Sequence, residues 1–135
     1  MRTIHAIRLK PGQDLRVSLD QFVKDRSICA GWIVACVGSL TQYNLRFANQ
    51  QAGQIRKDFF EIISLSGTLG VDGGHFHIAV SDSDGTLTAG HLLEGCIIYT
   101  TAEIVIEETT DLVFAREMDS TTEWKELQIK KNADS

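Results

Sequence analysis

The stretch His75-Phe76-His77-Ile78-Ala79-Val80-Ser81-Asp82-Ser83-Asp84-Gly85-Thr86-Leu87-Thr88-Ala89-Gly90-His91-Leu92-Leu93 decides how this chain folds. It reads as a strand over His75 to Ser81, a turn at Ser83-Asp84-Gly85, and a returning strand from Thr86 to Leu93. Asp82 to Thr86 suits a three-residue hairpin loop with Gly85 in the left-handed position. That loop sets His77 opposite His91 and Ala79 opposite Ala89. His75 and His77 are two apart, so on a strand they share a face. A two-residue Asp84-Gly85 turn would instead set His91 opposite Ile78, on the other face. The loop length therefore decides whether three imidazoles converge.

More strands are expected on both sides of this hairpin. Ile4 to Leu9 alternates and ends at Pro11-Gly12. Trp32 to Leu40 is an apolar, β-branched run of the kind buried on both faces. Thr41 to Ala48 forms a second strand, and residues 49–54 a turn. Phe59 to Leu65 is a third strand, broken by Ser66-Gly67, and Leu69 to Gly74 is a glycine-rich connection. Ile97 to Glu107 and Leu112 to Glu117 complete the set. One helix stands out. Ser18 and Gln21 form a capping box, Leu19, Phe22 and Val23 give one apolar face, and the helix runs to about Cys29, before Gly31. The pattern predicts a single α+β domain over 1–130, a curved, mostly antiparallel sheet with one main N-terminal helix, and a polar, frayed tail over 131–135.

Composition narrows the function classes. The 135 residues carry a net charge of −5, and the basic residues are scattered. Nucleic-acid binders ordinarily carry a basic stripe that displaces counterions from phosphates. No apolar run approaches the roughly 20 residues needed to span a bilayer. The segment Met1 to His5 lacks the apolar core of a signal peptide. The expected location is therefore cytoplasmic, with no membrane partner. Cys29, Cys36 and Cys96 match no CxxC spacing and read as reduced, mostly buried thiols.

The candidate chemistry lies at His75, His77 and His91. Three imidazoles around one point suit zinc or another divalent transition metal, and leave a position open for water. Gly73-Gly74 and Gly90 allow backbone or ligand to come close. Two carboxylates, Glu61 and Glu103, interrupt apolar runs. Each is a candidate metal ligand, supporting partner or general base, or else sits at an edge or on an outward face, or in a salt bridge with Arg46 or Arg116. Arg46 has the fork geometry to grip a carboxylate or phosphate. Trp32 and Trp124 read as packing residues.

Several ordered blocks resemble a known family. They are Ala30-Gly31-Trp32-Ile33-Val34 leading to Gly38-Ser39-Leu40, Phe60-Glu61-Ile62-Ile63-Ser64-Leu65-Ser66-Gly67-Thr68, and Gly74-His75-Phe76-His77-Ile78. Gly90-His91-Leu92-Leu93-Glu94-Gly95-Cys96, Thr101-Ala102-Glu103-Ile104-Val105-Ile106 and Arg116-Glu117-Met118-Asp119 follow. Together they resemble the PPC family, the plant-and-prokaryote conserved domain, which stands alone in bacteria and archaea and lies beside AT-hooks in plants. The resemblance implies an α+β domain with a curved antiparallel sheet and a homotrimer. It also implies that His75, His77 and His91 correspond to the metal-holding histidines of many single-domain members. The fold is similar to that of acetolactate decarboxylase, a zinc lyase that also uses an HxH and a later histidine. The family carries a DNA-binding label, but this chain lacks the Arg-Gly-Arg-Pro core that an AT-hook inserts into the minor groove.

Three functions are weighed on this basis. The leading expectation is a trimeric zinc-binding domain with a regulatory, small-ligand or partner-binding role. The alternative is a zinc-dependent lyase or hydrolase acting on a small oxo-acid or ester, with Glu61 as acid/base and Arg46 as anion clamp. The third is a purely structural scaffold.

Overall fold

A computed structural model describes residues 1–133. Among them the chain forms β1 (Arg2–Leu9), α1 (Leu15–Arg26), β2 (Ala30–Arg46), β3 (Gln54–Gly70), β4 (Gly73–Ser81), β5 (Leu87–Leu92), β6 (Ile97–Thr109), β7 (Leu112–Met118) and β8 (Lys125–Lys131). β1 to β6 make one six-stranded sheet in the order β1-β6-β2-β3-β4-β5, and β7 and β8 make a separate two-stranded ribbon. Every pairing is antiparallel. One helix against a mostly antiparallel sheet is the α+β class expected.

The strands are longer than local signals indicate. The segments read as two strands, Trp32 to Leu40 and Thr41 to Ala48, are one 17-residue strand, β2. Register shifts at Ile33/Ala35, Gly38/Leu40 and Leu40/Gln42 bend it without ending it. Bulges of this kind add local twist and re-aim a strand. Ser66-Gly67 does not break β3 either, because both residues stay paired, opposite His77 and Phe76. The expected glycine-rich connection shrinks to Val71-Asp72, since Gly73 and Gly74 already pair with Gly70 and Leu69.

Bending lets the sheet close on itself. The end of β2 pairs with the start of β3 on one side, Leu45 opposite Gln54, and with β5 on the other, Leu45 opposite Leu92 and Arg46 opposite His91. β2, β3, β4 and β5 thereby form a closed circuit of strands, and β6 and β1 extend from the other side of β2. Inside lie Leu45, Phe76, Ile78 and Leu92, all fully buried. Leu15, Leu19 and Phe22 of α1 join the same core. The Cys36 and Cys96 thiols are pushed up to about 11 by burial, so both stay protonated at neutral pH.

The helix starts one turn earlier than the Ser18–Gln21 capping box indicates. Asp14 is the cap, and its carboxylate accepts the Val17 N–H at 3.0 Å. Its other oxygen accepts the Gly95 N–H at 2.7 Å, so the cap also ties the helix to the loop before β6. Gln21 bonds Asp25 instead, at 2.6 Å. Ser27 then turns left-handed, with φ 51, and ends the helix at Arg26 rather than at Cys29.

β8 is absent from the sequence reading. The ribbon it forms with β7 is fastened by backbone bonds, Phe114 N–H to the Cys29 carbonyl at 2.8 Å and Val71 N–H to the Phe114 carbonyl at 3.1 Å. Gly70 makes the second contact possible, because a Cβ there would lie 2.1 Å from the Phe114 oxygen. Of the tail expected to fray from 131 onward, Lys131 is paired with Leu112 and Asn132 donates to the Asp111 and Thr110 carbonyls. Asp134 and Ser135 fall outside the described residues. Among the described residues no helix is long and apolar enough to cross a membrane.

Two substitutions test this frame. Asp14→Ala removes a helix cap and is expected to lower unfolding free energy by about 1–2 kcal/mol, read from urea denaturation. Gly70→Ala forces the ribbon off its seat and is expected to cost about 1–3 kcal/mol. Hydrogen exchange should then show faster labelling in β7 and β8 than in β2 to β6.

Candidate metal centre

The hairpin loop is the three-residue form. Gly85 has φ 80, its N–H donates to the Asp82 carbonyl at 3.0 Å, and the Asp82 N–H donates to the Thr86 carbonyl at 3.1 Å. The Asp82 carboxylate clamps the loop from inside, accepting the Asp84 and Thr86 N–H groups at 2.9 and 3.0 Å. This fixes the register that places His77 opposite His91 and Ala79 opposite Ala89. Phe76, Ile78 and Val80 point into the core, so His75 and His77 point away from it.

The three imidazoles meet. One potential ligand atom from each of His75, His77 and His91 lies within 4.8 Å of the other two. The His75 and His91 rings stack at 5.5 Å and 14°, with His77 edge-on to both. A tetrahedral zinc with bonds of about 2.0–2.1 Å would hold its nitrogens about 3.3 Å apart, so small ring rotations suffice. Burial, Arg116 and His77 lower the His75 pKa. Burial, Arg46 and the other two histidines lower that of His91. Both shifts favour the neutral imidazole, whose lone pair is what a metal needs. The donor set thus fits a first-row divalent ion. His5 stands apart, against Phe22 and the Glu108 carboxylate.

The other candidates divide. Arg46 is brought to the site, directly beside His91 across the β2–β5 pairing. Glu61 is not. It pairs with Ser81, four residues along β4 from His77, or about 13 Å at strand spacing. Glu103 is exposed on β6, opposite Val37 and Arg8. Neither carboxylate pairs with Arg46 or Arg116 among the described residues. Of the glycines expected to admit a ligand, Gly90 instead admits the β2 backbone, since a Cβ there would lie 2.8 Å from the Arg46 oxygen.

Two residues by the site were not foreseen in that place. Arg116, from β7, reaches across to donate to the Thr68 hydroxyl at 3.0 Å, beside His75. Trp124, expected to pack, is 69% exposed and lines the same cavity as His75 and His91. Only the basic side chain in Arg116-Glu117-Met118-Asp119 could have pointed to this wall.

The described residues thus form a small β-rich domain with one helix and a candidate metal centre of three convergent imidazoles on a hairpin. The chain belongs to the Plants and Prokaryotes Conserved (PCC) domain family, whose model matches residues 1–110. The chain is also similar to part of the "Bifunctional protein GlmU" of two Synechococcus strains, 42% identical over 98% and 94% of its length. It spans only 21% and 20% of those relatives.

Among solved structures, a hypothetical protein from Salmonella cholerae-suis, also known as Salmonella enterica, superposes with a TM-score of 0.94 at 41% identity. The match covers 97% of this chain and 95% of that one. A protein from Bacteroides thetaiotaomicron, described as a candidate DNA-binding protein, shares the fold with a TM-score of 0.83 at 24% identity. Coverage is 93% of this chain and 91% of that one. The metal-containing protein AF0104 from Archaeoglobus fulgidus does so with a TM-score of 0.78 at 21% identity, covering 93% of both chains.

The loop clamp has a pH signature. Hydrogen bonds from the Thr86 and Asp84 N–H groups, aided by Arg56, hold the Asp82 carboxyl below the ordinary carboxylate range. A depressed folded pKa contributes stability that is full above the unfolded value of about 3.9 and is lost as pH falls through the folded value. Asp82→Ala is therefore expected to lower the thermal midpoint at pH 7 and to flatten its acid fall. Equal acid slopes in both proteins would contradict this role.

Proposed function

We propose that this protein is a homotrimeric metal-binding domain that holds zinc, or another divalent transition metal, on His75, His77 and His91, and serves a regulatory, ligand-binding or partner-binding role. The observation that carries the reading is the convergence of three ligand atoms within 4.8 Å. The description of AF0104 as metal-containing supports it by analogy of fold. Three protein nitrogens leave a position open for water or a ligand. Bound there, zinc would act as a Lewis acid and lower the pKa of water. Finding the domain as about a fifth of a longer chain in the Synechococcus proteins fits a portable module.

The trimer reading draws support from the sheet face that α1 leaves bare. Val37, Phe59, Ile63, Leu87 and Tyr99 each expose more than 40% of their surface, an apolar area of the kind subunit contacts cover. The histidines project from the same side of the sheet, so the metal would sit near a subunit boundary. The DNA-binding descriptions belong to the structural neighbours, and a net charge of −5 favours a different partner here.

A second reading, a zinc-dependent lyase or hydrolase on a small oxo-acid or ester, is favoured by Arg46 beside His91. The distance of Glu61 removes its proposed general base within one chain, so this reading stands behind the first.

Elemental analysis of protein purified without a histidine tag is expected to find about one metal per chain, absent in His77→Ala. Less than about a tenth of a metal per chain after zinc is added would overturn the metal reading. Light scattering is expected to give the mass of three chains, and a monomer would overturn the trimer. Duplex binding that weakens steeply with salt would restore the DNA reading.

A further inference from the structure

The cleft over the histidines has a cationic wall that the three-histidine site does not need. A cavity of about 570 Å³ opens above His75 and His91. Arg46 bounds it on one side, and Arg116, Trp124, Lys125 and Glu126 of the ribbon bound it on the other. Its size is that of a small-molecule site.

Among the described residues neither guanidinium makes an ion pair. Arg46 donates one side-chain bond, to the Gln50 carbonyl at 3.2 Å, and Arg116 one, to the Thr68 hydroxyl. Among the described residues, ion pairs occupy Arg2, Arg16, Arg56 and Lys130, but not Arg46, Arg116 or Lys125. Glu126 is the one carboxylate on the wall, set against these three cations. The chain as a whole carries −5, so this concavity runs against the overall sign. Charges of one sign gathered in a cleft focus their field and concentrate the opposite ion. A guanidinium fork matches the paired oxygens of a carboxylate or phosphate. Trp124 adds an exposed indole face at the same opening.

We infer that the cavity binds a small organic anion, its carboxylate or phosphate gripped by Arg46 and Arg116 and its body lying against Trp124. The inference deepens the proposed function. It rests on that reading for one contact, an oxygen of the anion reaching the metal, while the cationic wall stands without it. The wall residues Arg116, Trp124, Lys125 and Glu126 lie beyond the 1–110 match to the family. The histidine floor and Arg46 lie within that match, so the ribbon adds the second half of the grip.

The test uses full-length protein in which Trp32→Phe leaves Trp124 as the one tryptophan. Malonate and inorganic phosphate are titrated by tryptophan fluorescence and calorimetry, on zinc-loaded and chelator-treated samples, with zinc content measured in each. Calorimetry on protein retaining Trp32 guards against a folding effect of that change. The expected result is saturable binding of one anion per chain, weakened about 10- to 100-fold by Arg46→Gln and by Arg116→Gln.

Arg116→Lys, which keeps charge but loses the fork, should fall between. Arg8→Gln on β1, at the far edge of the sheet, should bind as the parent does. Preference for malonate assigns a carboxylic acid, and preference for phosphate a phosphate ester. No saturation by either anion below about 10 mM, or equal affinity in the Arg46, Arg116 and Arg8 variants, overturns the inference. Zinc that loads without anion binding overturns it and leaves the metal reading intact. Arginine-dependent anion binding in protein that takes up no zinc supports it and removes the metal reading.

Discussion

The two residue pairs that join β2 to β5, Leu45 with Leu92 and Arg46 with His91, constrain everything else in the molecule. They turn an open sheet into a circuit of four strands. That circuit encloses the core on one side and presents the histidine hairpin on the other. It also settles where Arg46 stands. A residue at the end of β2 becomes the neighbour of one on β5 only because bulges bend β2 by the right amount. The core residues Leu45 and Leu92 hold the same junction from inside, so packing and site geometry depend on one register.

How much of this was legible followed from how local each signal was. The convergence of His75, His77 and His91 could be read because Asp82 to Thr86 carries its own turn chemistry, and a turn sets register for both strands at once. The type of the main sheet strands was readable as well, although the seven segments expected form six strands, because Trp32 to Leu40 and Thr41 to Ala48 are continuous. Their lengths were not. Thr41 and Ser66-Gly67 look like ends in sequence, yet partners on neighbouring strands carry the ladder past them. The helix start was misplaced because two caps compete, and Asp14 is favoured through Gly95, which lies far along the chain.

The cationic wall was the least legible part. β8 offers only Leu127 and Ile129 as alternating apolar residues, and Ile129 is 63% exposed. Such a strand is defined by its partner rather than by a buried face. Trp124 was misread for a related reason, since an indole normally packs and nothing local shows that this one stands at an opening. Arg46 and Arg116 are separated by the whole sheet in sequence. Their approach to one cleft is a property of closure and ribbon docking, which no spacing encodes.

The pairing of β1 with β6 bears on how the chain reaches this state. The Met1 carbonyl accepts the Thr110 N–H at 2.9 Å, across 109 positions of sequence. β1 therefore has no partner in the sheet until the distant β6 is available. A topology dominated by such distant contacts folds in milliseconds to seconds rather than microseconds. Until then β6 presents an open edge, and open edges recruit other chains. Met1 and Arg2 partly close that interval, the terminal amine pairing with Asp111 and the Arg2 guanidinium with Glu107. The Arg2–Glu107 pair clasps β1 to β6 at the edge of the sheet.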